Sequence, residues 1–248
     1  MAVLVTRPQP DDEATASGLR ARGFEVLLAP MLRFEPVAFR DDGHADYGAV
    51  IATSANALRG LVPHLKDSRL LKLPLFAVGE HTAAAARAAG FENVIAAGGD
   101  AGALRECVLA GVKRKTLKKT SPLLYLAGAD LARDLAGELG ARGFTVVTQT
   151  TYRMVPVSSL PRETCEAFAA NRVEAVLHYS GRSARAFLEA ARSAGVEISA
   201  LSLPQCCISA GVAAVVRDAG AAQVVVAASP DENALFGALD RALRPVSR

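Results

Sequence analysis

No tryptophan occurs among the 248 residues, and aromatic side chains make up only 5% of the chain. That scarcity argues against the stacking platforms by which proteins bind single-stranded nucleic acid. The formal net charge is only +3, far short of a nucleic-acid footprint but compatible with an anionic small ligand. The one basic cluster, Lys113-Arg114-Lys115 with Lys118-Lys119, has no aromatics interleaved and reads as a solvated loop. Only four cysteines are present, Cys107, Cys165, Cys206 and Cys207, without a C-x-x-C pair. Neighbouring cysteines seldom bridge each other, so buried free thiols in a reducing compartment are expected. No apolar run reaches about 18 residues, and MAVLVTRP enters a strand without a basic leader. A cytoplasmic protein with no membrane span is the expectation.

Several motifs are missing as well. His44, His64, His81 and His178 stand apart without metal-ligand spacing, so no metal site is expected. His81 and His178 lie near candidate turns, but core or surface positions are their plainer reading. The chain has no G-x-G-x-x-G or Walker sequence, and Ser54 lacks the glycines of a G-x-S-x-G nucleophile elbow. Dinucleotide binding, phosphoryl transfer and serine hydrolysis lose their sequence support.

What is present is an α/β rhythm. With 51% hydrophobic and 21% charged residues, the chain can bury one large core or two modest ones. Short Val/Leu/Ile runs alternate with Ala/Leu/Arg stretches of helical length, the pattern of largely parallel, buried strands. Expected strands are 3–6, 25–29, 49–53, 75–78 and 93–97, followed by 123–126, 145–148, 175–179, 206–209 and 223–227. The second five repeat the order of the first. LRARGFEVLLAP at 19–30 matches LGARGFTVVTQT at 139–150, and VGEHTAAAARAAG at 78–90 matches ISAGVAAVVRDAG at 208–220 without a gap. MLRFEPVAF at 31–39 and YRMVPVSSL at 152–160 interrupt both halves at equivalent places. Each carries a proline and reads as an extended connector.

LVTRP at 4–8, RGFEVLLAPML at 22–32, VIATSANALRG at 50–60, FAVGEHTAAAARAAG at 76–90, LLYLAGADLARDLAGELGARGF at 123–144, TTYR at 150–153 and SPDENALFGAL at 229–239 follow in an order and spacing that together resemble the uroporphyrinogen-III synthase family. The resemblance implies two flavodoxin-like parallel-sheet domains joined by two extended strands. The first, 1–34 with 159–248, is discontinuous; the second is 40–151; the connectors are 35–39 and 152–158. The implied activity is cyclisation of hydroxymethylbilane to uroporphyrinogen III, with ring D inverted and water lost, in a cleft between the domains. The implied protein is a cofactor-free monomer, in transient contact with hydroxymethylbilane synthase, that binds neither nucleic acid nor membrane. A non-catalytic bilobal protein that holds a tetrapyrrole or another polyanion is the alternative.

The implied substrate carries eight carboxylates. Helix N-termini bind carboxylates through unpaired N–H groups and the positive end of the dipole, so the strand-to-helix turns are candidate docking points. They are Thr6-Arg7, Thr53-Ser54-Ala55-Asn56, Gly79 with Thr82, Gly128, Ser180-Gly181-Arg182 and Ser209-Ala210-Gly211. Plainer readings stand beside them. Ser54 and Ser180 also fit simple N-caps worth about 0.5–2 kcal/mol, and Arg7 fits a brace. In the second half Ser209 and Val212 replace Gly79 and Thr82. By resemblance, Tyr152 faces the cleft, where its phenol would donate a proton to the departing hydroxyl; the alternative is a hinge tyrosine packed beside the connector.

Overall fold

The computed structural model describes residues 1–39, 46–65, 68–131 and 133–244; His44 lies outside them. The first half runs β1 (Ala2–Val5), α1 (Asp11–Arg20), β2 (Glu25–Leu28), β3 (Leu32–Pro36), β4 (Ala49–Ala52), α2 (Ala55–Leu61), β5 (Pro74–Ala77), α3 (Glu80–Ala88), β6 (Asn93–Ala96) and α4 (Ala101–Lys113). The second half runs β7 (Leu123–Gly128), α5 (Leu135–Gly140), β8 (Val146–Pro156), α6 (Arg162–Ala169), β9 (Val173–His178), α7 (Gly181–Ser193), α8 (Glu197–Ser202), β10 (Pro204–Cys207), α9 (Ala210–Asp218), β11 (Gln223–Val226) and α10 (Glu232–Leu243). The chain divides into two compact units, Met1–Arg33 with Val155–Arg248, and Phe34–Met154.

Each unit is built on parallel strands covered by helices; in the second, the added edge strand β3 runs antiparallel to β8. The first has strand order β11-β10-β9-β1-β2 and the second β3-β8-β7-β4-β5-β6. Two inner strands, β1 (AVLV) and β4 (AVIA), are wholly apolar and buried at every position, as strands with both faces covered must be. Outer strands β6 and β11 are only partly covered. If the strands of each sequence repeat are counted one to five, both units adopt the flavodoxin-like order 2-1-3-4-5. The first unit combines strands one and two of the first repeat with three to five of the second. The second unit makes the reciprocal combination.

The duplication extends to detail. Over 71–90 and 201–220, burial repeats position for position. The two Ala-Arg-Gly-Phe sequences make the same turn: Gly23 and Gly143 have φ of +88° and +83°. In both, the following phenylalanine N–H donates to a leucine carbonyl of the preceding helix, Phe24 to Leu19 at 3.1 Å and Phe144 to Leu139 at 3.2 Å. Only glycine takes that left-handed position without strain.

One expectation changes shape. The strand expected at 145–148 and the connector expected from 152 form a single strand, β8, of eleven residues. Thr148, Thr150 and Thr151 interrupt its apolar pattern, but β-branched threonine and tyrosine suit a pleated strand. Strand β8 lies between β7 and β3, and the Val37 N–H donates to the Thr151 carbonyl at 2.9 Å. Helix α2 presses on the same residue. The Thr151 hydroxyl donates to the Ala57 carbonyl at 2.8 Å, and a Cβ on Gly60 would lie 2.2 Å from the Thr151 carbonyl oxygen.

The histidine ending β9 belongs to the core. His178 is fully buried, with its Nε2 2.8 Å from the Gln205 side-chain oxygen. The Gln205 amide nitrogen donates to the Ala200 and Leu203 carbonyls at 2.7 and 3.0 Å, so its oxygen faces the imidazole as acceptor and Nε2 carries the proton. Burial pushes the imidazole pKa down to about 4.

Two stability tests follow from these contacts. Gly60→Ala must separate α2 from β8 and is expected to cost about 1–3 kcal/mol, read as a lower denaturation midpoint. For His178, the unfolded chain takes up a proton below about pH 6.5 that the folded protein refuses until about pH 4. Its contribution is therefore complete above pH 6.5 and is lost as pH falls, by on the order of 3 kcal/mol. His178→Leu is expected to lose less stability than the parent between pH 7.5 and 4.5 in denaturant titrations.

Candidate active site

The strand-to-helix turns at the carboxyl ends of the two sheets come in matched pairs. After β4 and β9 the cap is serine: Ser54 Oγ accepts from Asn56 N at 3.1 Å, and Ser180 Oγ from Ser183 N at 3.1 Å. After β5 and β10 the caps are Gly79, with no side chain to offer, and Ser209, whose Oγ accepts from Val212 N at 3.4 Å. After β6 and β11 the cap is aspartate: Asp100 accepts from Ala103 N at 2.8 Å and Asp231 from Ala234 N at 2.9 Å. A carboxylate of the chain therefore occupies the helix ends of α4 and α10. The ends of α3, α7 and α9 keep a neutral or absent cap, the condition for receiving a foreign carboxylate. Helix α2 has only seven residues, so the side chains of its turn matter more than its dipole.

Within the second unit, four expected residues line one cavity of about 240 Å³: Thr53, Ser54, Gly128 and Tyr152. Tyr125, Asp130 and Arg133 line it too. The cavity exists because β7 and β8 shift register at Ala127/Gly128, which brings Gly128 opposite Tyr152. A Cβ on Gly128 would sit 2.7 Å from Tyr152 Cζ and 2.9 Å from its hydroxyl, so only glycine lets the phenol lie there. The Tyr152 ring is also stacked on Phe34, with centroids 5.7 Å apart and planes at 17°. On the opposite wall the Thr53 hydroxyl lies 3.1 Å from the Tyr125 hydroxyl. Burial raises the Tyr125 pKa above that of an ordinary phenol, so the group stays protonated. Arg133 hydrogen-bonds Glu138, which also takes Arg105 at 2.9 Å; the two guanidiniums, Arg133 first, hold that carboxyl below its usual range.

Ala55, Asn56, Gly79 and Thr82 do not line the cavity. The Asn56 side chain bonds Arg59 at 2.5 Å and Met154 Sδ at 3.8 Å. Ala55 and Thr82 are buried, so the Thr82 hydroxyl sits under the first turn of α3, and its replacement by buried Val212 removes no exposed group.

In the first unit the polar groups largely serve one another. Thr6 is buried; its hydroxyl and N–H both donate to the Leu177 carbonyl, at 2.9 and 3.2 Å, and its own carbonyl accepts from Met31 N. Arg7 donates to Glu232 at 2.8 Å and Thr15 at 3.0 Å, pairs with Asp11 at 3.6 Å and lies over the Tyr179 ring at 4.7 Å. Both residues hold the β1–α1 turn in place, the bracing alternative for Arg7. Gly181, Arg182, Ala210 and Gly211 form the first turns of α7 and α9, with Ala210 and Gly211 exposed.

Among the described residues no group of histidine, cysteine, aspartate and glutamate could hold a metal ion, and no helix is long and apolar enough to cross a membrane. His81 and His64 are exposed, as are Lys113 to Lys115 and Lys118 to Lys119. All four cysteines are free, and burial pushes the Cys206 and Cys207 thiols up to about 12.

Residues 13–237 match the family model described as HEM4, uroporphyrinogen-III synthase HemD. Among solved structures, the chain is similar to a uroporphyrinogen-III synthetase from Helicobacter pylori, at 18% identity over 98% of this chain and 99% of that one, with a TM-score of 0.67. It is also similar to a mutant uroporphyrinogen III synthase from Thermus thermophilus, at 19% identity over 98% and 99% of the two chains, with a TM-score of 0.57. At such identities the likeness is one of fold. No curated protein matches the sequence.

Proposed function

We infer the roles of individual residues from the premise that the chain belongs to the uroporphyrinogen-III synthase HemD family. It is a lyase that cyclises hydroxymethylbilane to uroporphyrinogen III in tetrapyrrole biosynthesis. The linear tetrapyrrole loses its terminal hydroxyl to give an azafulvene. The substituted carbon of ring D attacks, and the resulting spiro intermediate fragments and recloses with ring D inverted. The sum is loss of one water, with no net oxidation or reduction, and the reaction asks for no redox cofactor. The same bilane closes unaided to the uninverted isomer I. The protein's task is therefore to hold one fold of a flexible octacarboxylate, and orientation of this kind contributes about 7–11 kcal/mol in well-held intramolecular reactions.

The observation that carries the site assignment is the cavity gathering Thr53, Ser54, Gly128 and Tyr152. In this reading the Thr53 and Ser54 hydroxyls and Arg133 receive substrate carboxylates in the second unit. The first turn of α3 receives another through the amides near Gly79 in the same unit, and in the first unit the first turns of α7 and α9, with the amides near Gly181-Arg182 and Ala210-Gly211, are the candidate carboxylate receivers. Tyr152 donates a proton or hydrogen bond to the departing hydroxyl, which otherwise leaves as an unstabilised anion. Thr6, Arg7 and Thr82 shape turns and do not touch substrate. The protein works in the cytoplasm, as a monomer, in keeping with its free and unreactive buried thiols.

Incubation with freshly generated hydroxymethylbilane, oxidation and resolution of the porphyrin isomers tests the activity. Isomer III is expected above the unaided background, and isomer I alone would overturn the assignment. For the phenol, Tyr152→Phe is expected to lower kcat at least several-fold while the circular dichroism spectrum is retained; an unchanged kcat removes the proton-donor role. Gly128→Ala, whose Cβ would strike the Tyr152 ring, is expected to lower kcat at least as far by displacing the phenol and not by removing it. An initial-rate assay on both variants checks this.

A further inference from the structure

Tyr125 belongs to β7, in the centre of an apolar run, and is 3% exposed. Its ring packs with the core on one side of the sheet, among Ile51, Phe76 and Leu135. Its hydroxyl emerges at the cavity wall, 3.1 Å from Thr53 Oγ1. The neighbouring phenol in the cavity, Tyr152, reaches it from β8 and packs against Phe34 and Gly128. Two phenols in one cavity thus have different partners, and it is Tyr125 that meets the hydroxyl of the β4–α2 turn.

We propose that Tyr125 is a positioning residue that points the Thr53 hydroxyl hydrogen into the cavity, so that Thr53 meets the substrate as a hydrogen-bond donor. The proposal rests on the site assigned above. A threonine hydroxyl has one hydrogen and rotates to suit its neighbours. When the Tyr125 hydroxyl donates to Thr53 Oγ1, the threonine hydrogen is free to turn toward a carboxylate oxygen. A chain of two hydroxyls ending on an anion polarises each member in the same direction. Phenylalanine at 125 would keep the packing and remove the donor. Thr53 would then bind a carboxylate with a hydroxyl that Tyr125 no longer orients.

Kinetic measurements on the full chain with hydroxymethylbilane test this. Tyr125→Phe is expected to raise KM about five- to tenfold, the worth of one net hydrogen bond, with kcat within about twofold of the parent. Thr53→Val should raise KM at least as much. Because Tyr125 acts through Thr53, the double variant should be no worse than Thr53→Val alone. An unchanged KM in Tyr125→Phe overturns the proposal, and so does a double variant whose losses multiply. A merely structural role for Tyr125 predicts a lowered Tm with no split between KM and kcat, and that result also overturns it. As an activity-independent arm, saturating uroporphyrin III should raise the parent Tm, and by less in Tyr125→Phe; equal rises in both contradict the proposal. A parent protein that makes no isomer III would instead overturn the reading beneath it, which keeps the two failures distinct.

Discussion

The carbonyl of Thr151 occupies the space that a Cβ on Gly60 would need, and the second unit is arranged around that contact. The Thr151 hydroxyl holds the Ala57 carbonyl from the same point, so helix α2 is pinned to β8 there by a buried hydrogen bond and a missing methyl group. Pinning α2 fixes the β4–α2 turn that carries Thr53 and Ser54. Pinning β8 fixes its next residue, Tyr152, which lies over Gly128 because that position also lacks a side chain. Two glycines and a buried threonine thus set the distance between the walls of the cavity. Close packing of this kind tolerates little change in volume, which is what a site that orients a flexible substrate requires.

The two units reach one strand order by reciprocal exchange of chain segments. Each takes two strands from one repeat and three from the other. The exchange has a chemical consequence at the carboxyl ends of the sheets, where open parallel sheets bind ligands. Equivalent turns have kept their backbone and diverged in polar content. Thr53 meets the Tyr125 hydroxyl, whereas Tyr179, its counterpart before the serine cap, bonds Glu232 at 3.1 Å in a cluster that already holds Arg7. The first unit therefore neutralises its own charge at the place where the second leaves a cavity. The aspartate caps Asp100 and Asp231 do the same at the last helix of both units.

Much of the fold was legible in the sequence because its signals are local. Apolar runs such as AVLV and AVIA, the paired Ala-Arg-Gly-Phe turns and the serine caps each act within a few residues, and the strands fell within one or two residues of expectation. Strand β8 was not legible in full, because TQTTYR alternates polar residues that only pairing with β7 and β3 makes strand-like. The candidate site was legible only in part. Thr53, Ser54, Gly128 and Tyr152 announced themselves as turn residues or by family likeness. Tyr125 sits inside LLYLAG and reads as core, since nothing local says that its hydroxyl reaches a cavity. Arg133 is a surface charge in sequence terms. For Thr6 and Arg7 the sequence holds no sign of their partners, Leu177 and Glu232, which lie more than 170 residues away.

The central claim is that an octacarboxylate tetrapyrrole docks in the cavity that Tyr125 and Tyr152 both line. The chain has four tyrosines, few enough for each to be followed by NMR after labelling the ring Cζ with carbon-13. Titration with uroporphyrin III, the oxidised product, is predicted to shift the Tyr125 and Tyr152 resonances together, with the buried core tyrosine Tyr47 unmoved. Saturable binding that leaves both Tyr125 and Tyr152 in place would contradict the account.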